Sequence, residues 1–249
     1  MRTANPALNK KTFANFAYTT DTEKMTIQGT VNKTFIMLLL LMVSAGYTWR
    51  LFFSSRIEDP SVVVPWMIGG AIGGLIVAFV TVFKKNWANI TAPLYALLEG
   101  LFLGGISSMM EARFPGIVLQ AVALTFGTLF ALLFAYKAGI IRATEKFKSG
   151  VVAATGGIFL VYIATWILGF FNIHIPFIHG SGTIGILFSL FVVVIAALNL
   201  VLDFDLIEHG AEQGAPKFME WYGAFALMVT LIWLYIEILR LLAKLQSRD

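Results

Sequence analysis

Seven apolar segments, each of about 20 residues and so long enough to cross the hydrocarbon core of a bilayer, constrain this chain most. They cover residues 35–53, 62–83, 92–110, 117–136, 151–171, 184–202 and 222–242. Hydrophobic residues make up 58% of the 249 residues, and charged residues only 13%. A soluble domain carries about 25% charged residues, because its surface must face water. The sequence therefore predicts an all-α integral membrane protein with seven transmembrane helices.

The composition also excludes several kinds of site and partner. The chain has no cysteine, which rules out disulfides, thiolate metal sites and iron–sulfur clusters. Its net charge of +4 is better explained by basic loops beside an anionic membrane leaflet than by nucleic acid. We therefore expect the lipid bilayer as partner and no nucleic acid. Residues 1–33 are predicted to form a polar cytoplasmic tail, and residues 34–249 the transmembrane domain.

The distribution of basic residues predicts the orientation. If the seven segments alternate in direction, 12 of the 18 Lys and Arg residues lie on the side of the N-terminus and six on the other. Cytoplasmic loops are enriched in Lys and Arg. The N-terminus is therefore predicted to lie in the cytoplasm, and the C-terminus on the opposite side.

Glycines four residues apart mark the second and third segments. Gly69 and Gly73 overlap with Gly70 and Gly74, and the pair Gly100 and Gly104 follows in the next segment. This spacing places both glycines on one helix face, where they let a neighbouring backbone approach closely. A phosphate-binding loop is excluded, because no strand precedes these glycines and no Lys-Ser/Thr follows them. The pattern predicts tight helix packing.

Ionisable residues inside apolar segments are the main candidates for a functional site, since each costs about 2.5–3.5 kcal/mol to insert. Asp203 and Asp205 end the sixth segment and point to nearly opposite sides of a helix. Glu237 has Arg240 three residues later, a spacing that allows an ion pair on one face. The alternative is that Glu237 faces the centre of the bundle. Glu99 either benefits from the dipole of a helix N-terminus or lines a polar cavity.

Four stretches of the sequence carry a family resemblance. They are LDFDLIEH at residues 202–209, LYIEILRLL at 234–242, LEGL at 98–101 and NPALNK at 5–10. The first three resemble the Bax inhibitor-1 family, in the YccA-like branch that its bacterial members share, and NPALNK is similar to one bacterial subgroup. With the seven segments, the resemblance covers essentially the whole chain.

The resemblance implies a bundle with helix 7 near its middle, in the bacterial plasma (inner) membrane. It also implies a pH-sensitive calcium leak that is gated by a pair of acids from helices 6 and 7. Asp203 and Glu237 would be these acids, and they would bind Ca²⁺ only transiently, as the permeant ion. The resemblance implies no tightly bound cofactor. Supporting roles would fall to Asp205, Glu99 and Arg240, and a base latching the pair would be Lys84 or Lys85.

Two departures from the family pattern bear on this pairing. Glu237 stands where the family usually has Asp, and the stretch between Asp203 and Glu237 is longer than in the family pattern. On ideal helices Asp203 lies about 10 Å inward of the centre of its segment, and Glu237 about 5 Å outward. The two side chains would therefore meet only if helix 7 is displaced or helix 6 tilts or breaks.

Two other functions are consistent with the sequence. The protein could be a non-transporting regulator that binds a membrane protease or another membrane protein, with the N-terminal tail as the contact. An intramembrane aspartyl-type protease would also need two acids on separate helices. The Gly-x-Gly-Asp segment of that type is absent, so we expect no enzymatic activity.

Overall fold

The computed structural model describes residues 24–55, 59–171 and 180–247. It contains seven long helices within these ranges, and each is long and apolar enough to span a membrane. They are α1 (Ile27–Phe53), α2 (Val64–Phe83), α3 (Ala88–Arg113), α4 (Ile117–Lys137), α5 (Glu145–Phe170), α6 (Thr183–Glu212) and α7 (Met219–Gln246). The described residues contain no β-strand. The predicted all-α class with seven transmembrane helices is confirmed.

Several helices extend beyond the apolar segments that predicted them. α1 begins at Ile27, inside the predicted polar tail, and α6 continues to Glu212. Residues 1–23 of that tail lie outside the described residues. Polar residues can continue a helix past its apolar stretch, and here Thr26 caps α1 by accepting a hydrogen bond from the backbone of Gly29. Because α6 continues to Glu212, Asp203 lies inside this helix and not at its end.

The helices belong to two compact units, described here separately. Within the described residues, unit 1 comprises 119–205 and 230–247, and unit 2 comprises 24–118 and 206–229. Unit 1 thus contains most of α4, all of α5, α6 as far as Asp205, and α7 from Thr230 onward. α7 is the most buried of the seven helices, with 61% of its most apolar stretch buried.

In unit 2, α3 packs against both α1 and α2 at its glycines. A Cβ atom on Gly70 of α2 would lie 2.5 Å from the carbonyl oxygen of Leu98 on α3. On Gly100 it would collide with Leu41 and Ser44 of α1. These glycines therefore allow contacts between helix backbones, and the predicted role in helix packing is confirmed for them.

Replacing Gly104 by alanine is expected to destabilise the protein by about 1–3 kcal/mol, the usual cost of overpacking. Its Cβ atom would collide with the carbonyl of Ala45 and the hydroxyl of Thr48, and backbone atoms cannot move aside cheaply. Thermal unfolding in detergent measures the effect. Gly46→Ala is the matched control, because nothing lies within 4 Å of a Cβ atom there. Equal stability of the two variants would contradict the packing interpretation.

The start of α1 is tied to the start of α7 in unit 2. The Met25 amide donates to the Ala215 carbonyl at 2.6 Å. The buried Glu220 accepts hydrogen bonds from the Thr26 amide (2.9 Å) and hydroxyl (2.8 Å) and forms an ion pair with Lys33. The chain that enters α1 is therefore held against the segment that joins α6 to α7.

Candidate functional site

Asp203 lies at the contact between α6 and α7 in unit 1. Its side chain is fully buried, at 0% exposure, and its Oδ2 atom accepts a hydrogen bond from the Thr230 hydroxyl at 2.5 Å. The resemblance implies a second acid on helix 7 at this site. The residue that α7 presents to Asp203 is instead a threonine.

Glu237 occupies a different position on α7. It is seven residues beyond Thr230, which corresponds to about 10 Å along the helix. Its Oε1 atom accepts hydrogen bonds from the Tyr162 hydroxyl of α5 at 3.0 Å and from Arg240 Nη1 at 2.8 Å. The ion pair predicted from the three-residue spacing is confirmed, and the structure does not bring Glu237 to Asp203.

The register of the two helices explains this separation. Thr230 of α7 contacts Asp203 of α6. Further along α7, Lys244 contacts Ser189, which lies an equal number of positions back along α6. α6 and α7 therefore run antiparallel in unit 1 without a break near Asp203. Because α6 remains helical past Asp203, the antiparallel register places Thr230 and not Glu237 beside this acid.

Asp205 is bound by a lysine that lies outside the predicted apolar segments. Lys148 Nζ of α5 lies 2.6 Å from Asp205 Oδ2, and their side chains are 3% and 9% exposed. Lys148 also lies 4.0 Å from the exposed Glu145. Asp203 thus contacts α7, and Asp205 contacts α5. This agrees with the prediction that the two acids point to nearly opposite sides of their helix. Lys148 was missed because α5 begins six residues before the apolar segment.

Two further polar contacts join the helices of unit 1. Asn199 of α6 donates to the Thr155 hydroxyl of α5 at 2.9 Å. Lys244 of α7 is buried and donates to the Gly185 carbonyl (3.0 Å) and the Ser189 hydroxyl (2.8 Å) of α6. Neither contact was predicted from the sequence.

The remaining candidates lie in unit 2. Glu99 lies one helical turn from Tyr95 on its own helix, and its carboxylate lies against Gly74 of α2. Lys85 places its ammonium group 5.5 Å from the ring centre of Tyr222 on α7, whereas Lys84 is exposed at the end of α2. Their predicted supporting and latching roles stay predictions.

The described residues contain no group of three or more His, Asp or Glu side chains that could hold a metal ion. Asp203 and Glu237, the two acids predicted to contact calcium, have different partners, Thr230 for Asp203 and Tyr162 with Arg240 for Glu237. The chemistry available at these sites is that of single carboxylates inside membrane-spanning helices.

One protein-family model matches nearly the whole chain. A search of curated proteins found no match. The model of a protein family described as Bax inhibitor 1 like matches residues 5–247, a range that includes all seven helices. This chain belongs to the Bax inhibitor 1 like family of membrane proteins.

Proposed function

We propose that the protein is a pH-sensitive cation leak, selective for calcium, in a bacterial plasma membrane, with Asp203 as its principal gating acid. The observation that carries the proposal is a fully buried carboxylate inside a membrane-spanning helix. Ionisable groups at such positions are costly, and they mark ion and proton pathways. Membership of the family supports a role in ion transport. We further propose that the protein belongs to the YccA-like branch of the family and that its N-terminus lies in the cytoplasm.

The chemistry of Asp203 accounts for both ion attraction and pH sensitivity. A deprotonated carboxylate is the hard oxygen ligand that calcium prefers, and protonation removes its charge. Asp205, two residues away on the same helix, is paired with Lys148 on α5. Calcium flux is therefore expected to rise with pH as Asp203 loses its proton.

Glu237 has a second role in this proposal. It lies about two turns from Thr230 on the same helix, and its charge is balanced by Arg240. We assign Glu237 to a second position in series with Asp203, at which calcium binds transiently.

The test is calcium flux in liposomes that carry purified protein and an enclosed calcium indicator. Flux above that of protein-free liposomes, increasing from acidic to alkaline external pH, is the expected result. Flux equal to that of protein-free liposomes at every pH would overturn the proposal. The non-transporting regulator would then be the better candidate, and it predicts that a membrane protein is captured only while the N-terminal tail is present.

A further inference from the structure

We propose that cations cross this protein along the interface of α5, α6 and α7 in unit 1, and that an apolar cluster of Ile158, Val192 and Ile195 closes this path. The inference rests on the proposed leak function. It adds the location of the path and the residues that form its barrier.

Polar side chains on α5 repeat every seven residues and all face the other two helices. They are Lys148, Thr155 and Tyr162, and they contact Asp205, Asn199 and Glu237 respectively. Seven residues correspond to nearly two helical turns, so the three side chains lie along one face of α5.

The same period occurs on α7. Thr230, Glu237 and Lys244 are seven residues apart, and all three are buried. Their contacts are with α6 at Asp203, α5 at Tyr162 and α6 at Ser189. The two helices therefore turn matched polar faces toward a common interface.

These polar contacts extend through the thickness of a membrane. On α6 they run from Asp205 back to Gly185. This interval of about 20 residues, at about 1.5 Å per residue, corresponds to about 30 Å, the thickness of the hydrocarbon core. The polar interface is therefore long enough to reach from one side of the core to the other.

Helix association alone does not account for this interface. Hydrogen bonds between membrane helices contribute little on average. Inserting a charged residue costs more than such a bond returns, and the interface holds several, among them Asp203, Glu237 and Lys148. A path for ions gives these charged groups a function that packing does not.

An apolar cluster interrupts the polar interface. Ile158, Val192 and Ile195 are 4%, 0% and 7% exposed, and Trp233 of α7 packs against them. On α5, Ile158 falls between Thr155 and Tyr162, within a gap of about 10 Å between polar positions. An apolar constriction of this kind excludes water and blocks ions. On α6, Val192 and Ile195 lie between Asn199 and Ser189, so the cluster separates the Asp203 side of the path from the Lys244 side.

Ile195→Asn is expected to raise calcium flux about tenfold over the parent at the same pH, because a polar side chain admits water to the constriction. Val194→Asn is the matched control, since Val194 is the neighbouring residue on α6 and is 47% exposed. It should leave the flux unchanged. Ile158→Asn tests the same barrier from α5, and size-exclusion profiles establish which variants are folded.

Labelling of single introduced cysteines tests the path without placing a polar residue in the apolar cluster, because the chain itself contains no cysteine. Thr155→Cys should react with a water-soluble thiol reagent faster than Leu160→Cys, which lies on the exposed face of α5. A reaction no faster at position 155 than at 160 would overturn the inference. The inference is also wrong if the parent leaks and the folded Ile195→Asn and Ile158→Asn variants show the same calcium flux as the parent. Parent liposomes that do not leak at all contradict the proposed function instead.

Discussion

Asp203→Asn is expected to lower calcium flux at least about tenfold at alkaline pH and to remove the dependence of flux on pH. Tenfold requires the loss of only about 1.4 kcal/mol of attraction for the ion. Asparagine preserves the size of the side chain and its ability to accept a hydrogen bond from Thr230, so the helix contact at 2.5 Å is retained. Only the titratable charge is removed. Flux of the variant and the parent across a pH series measures the effect.

Asp59→Asn provides the control for this prediction. Asp59 lies outside the membrane-spanning helices, where its carboxylate accepts hydrogen bonds from the amide and hydroxyl of Ser61. These bonds hold the pKa of Asp59 below its usual value, so it keeps its charge throughout the assay range. We expect parental flux and pH response from this variant. An Asp203→Asn protein that behaves in the same way would remove Asp203 from the mechanism.

Lys148→Met is expected to lower the free energy of unfolding by about 3–5 kcal/mol, the usual effect of removing one partner of a buried ion pair. Methionine matches the length of the lysine stem, so packing on α5 is nearly preserved. The carboxylate of Asp205, 2.6 Å from the ammonium group in the parent, remains buried without that group. Unfolding by denaturant or heat in detergent measures the loss.

The double variant Lys148→Met/Asp205→Asn should recover much of this stability, because it removes both charges together. Lys146→Met is the matched control on the same helix, since Lys146 is exposed, and it should change stability by less than about 0.5 kcal/mol. If Lys148→Met unfolds like Lys146→Met, or the double variant is no more stable than Lys148→Met, the ion pair does not stabilise the fold.

Much of the fold could be predicted from the residues alone, but the ends of the helices could not. Hydropathy detects the part of a helix that must avoid water. Each of the seven predicted apolar segments therefore falls within one of the seven long helices or overlaps it. Polar residues beyond that part can remain helical through caps such as Thr26, which hydropathy does not register. For this reason Lys148 was assigned to a loop, although α5 begins at Glu145.

The candidate site was predictable in its acids but not in their partners. The cost of burying charge singles out Asp203, Asp205 and Glu237 in any reading of the sequence. The Glu237–Arg240 ion pair was also predictable, because both residues lie on one helix and the spacing is local. Contacts between helices depend on register and rotation, which a single sequence does not reveal.

The sequence by itself determined that this chain is a membrane protein of seven helices, because continuous apolar segments of about 20 residues cross a bilayer as helices, which satisfy their own backbone groups. It also determined which few charges need a functional reason. Only the tertiary structure decided that Thr230 faces Asp203, that Lys148 binds Asp205 and that Glu237 belongs to a second site. The physical reason is the antiparallel register of α6 and α7, since a shift of two turns along α7 would have placed Glu237 beside Asp203.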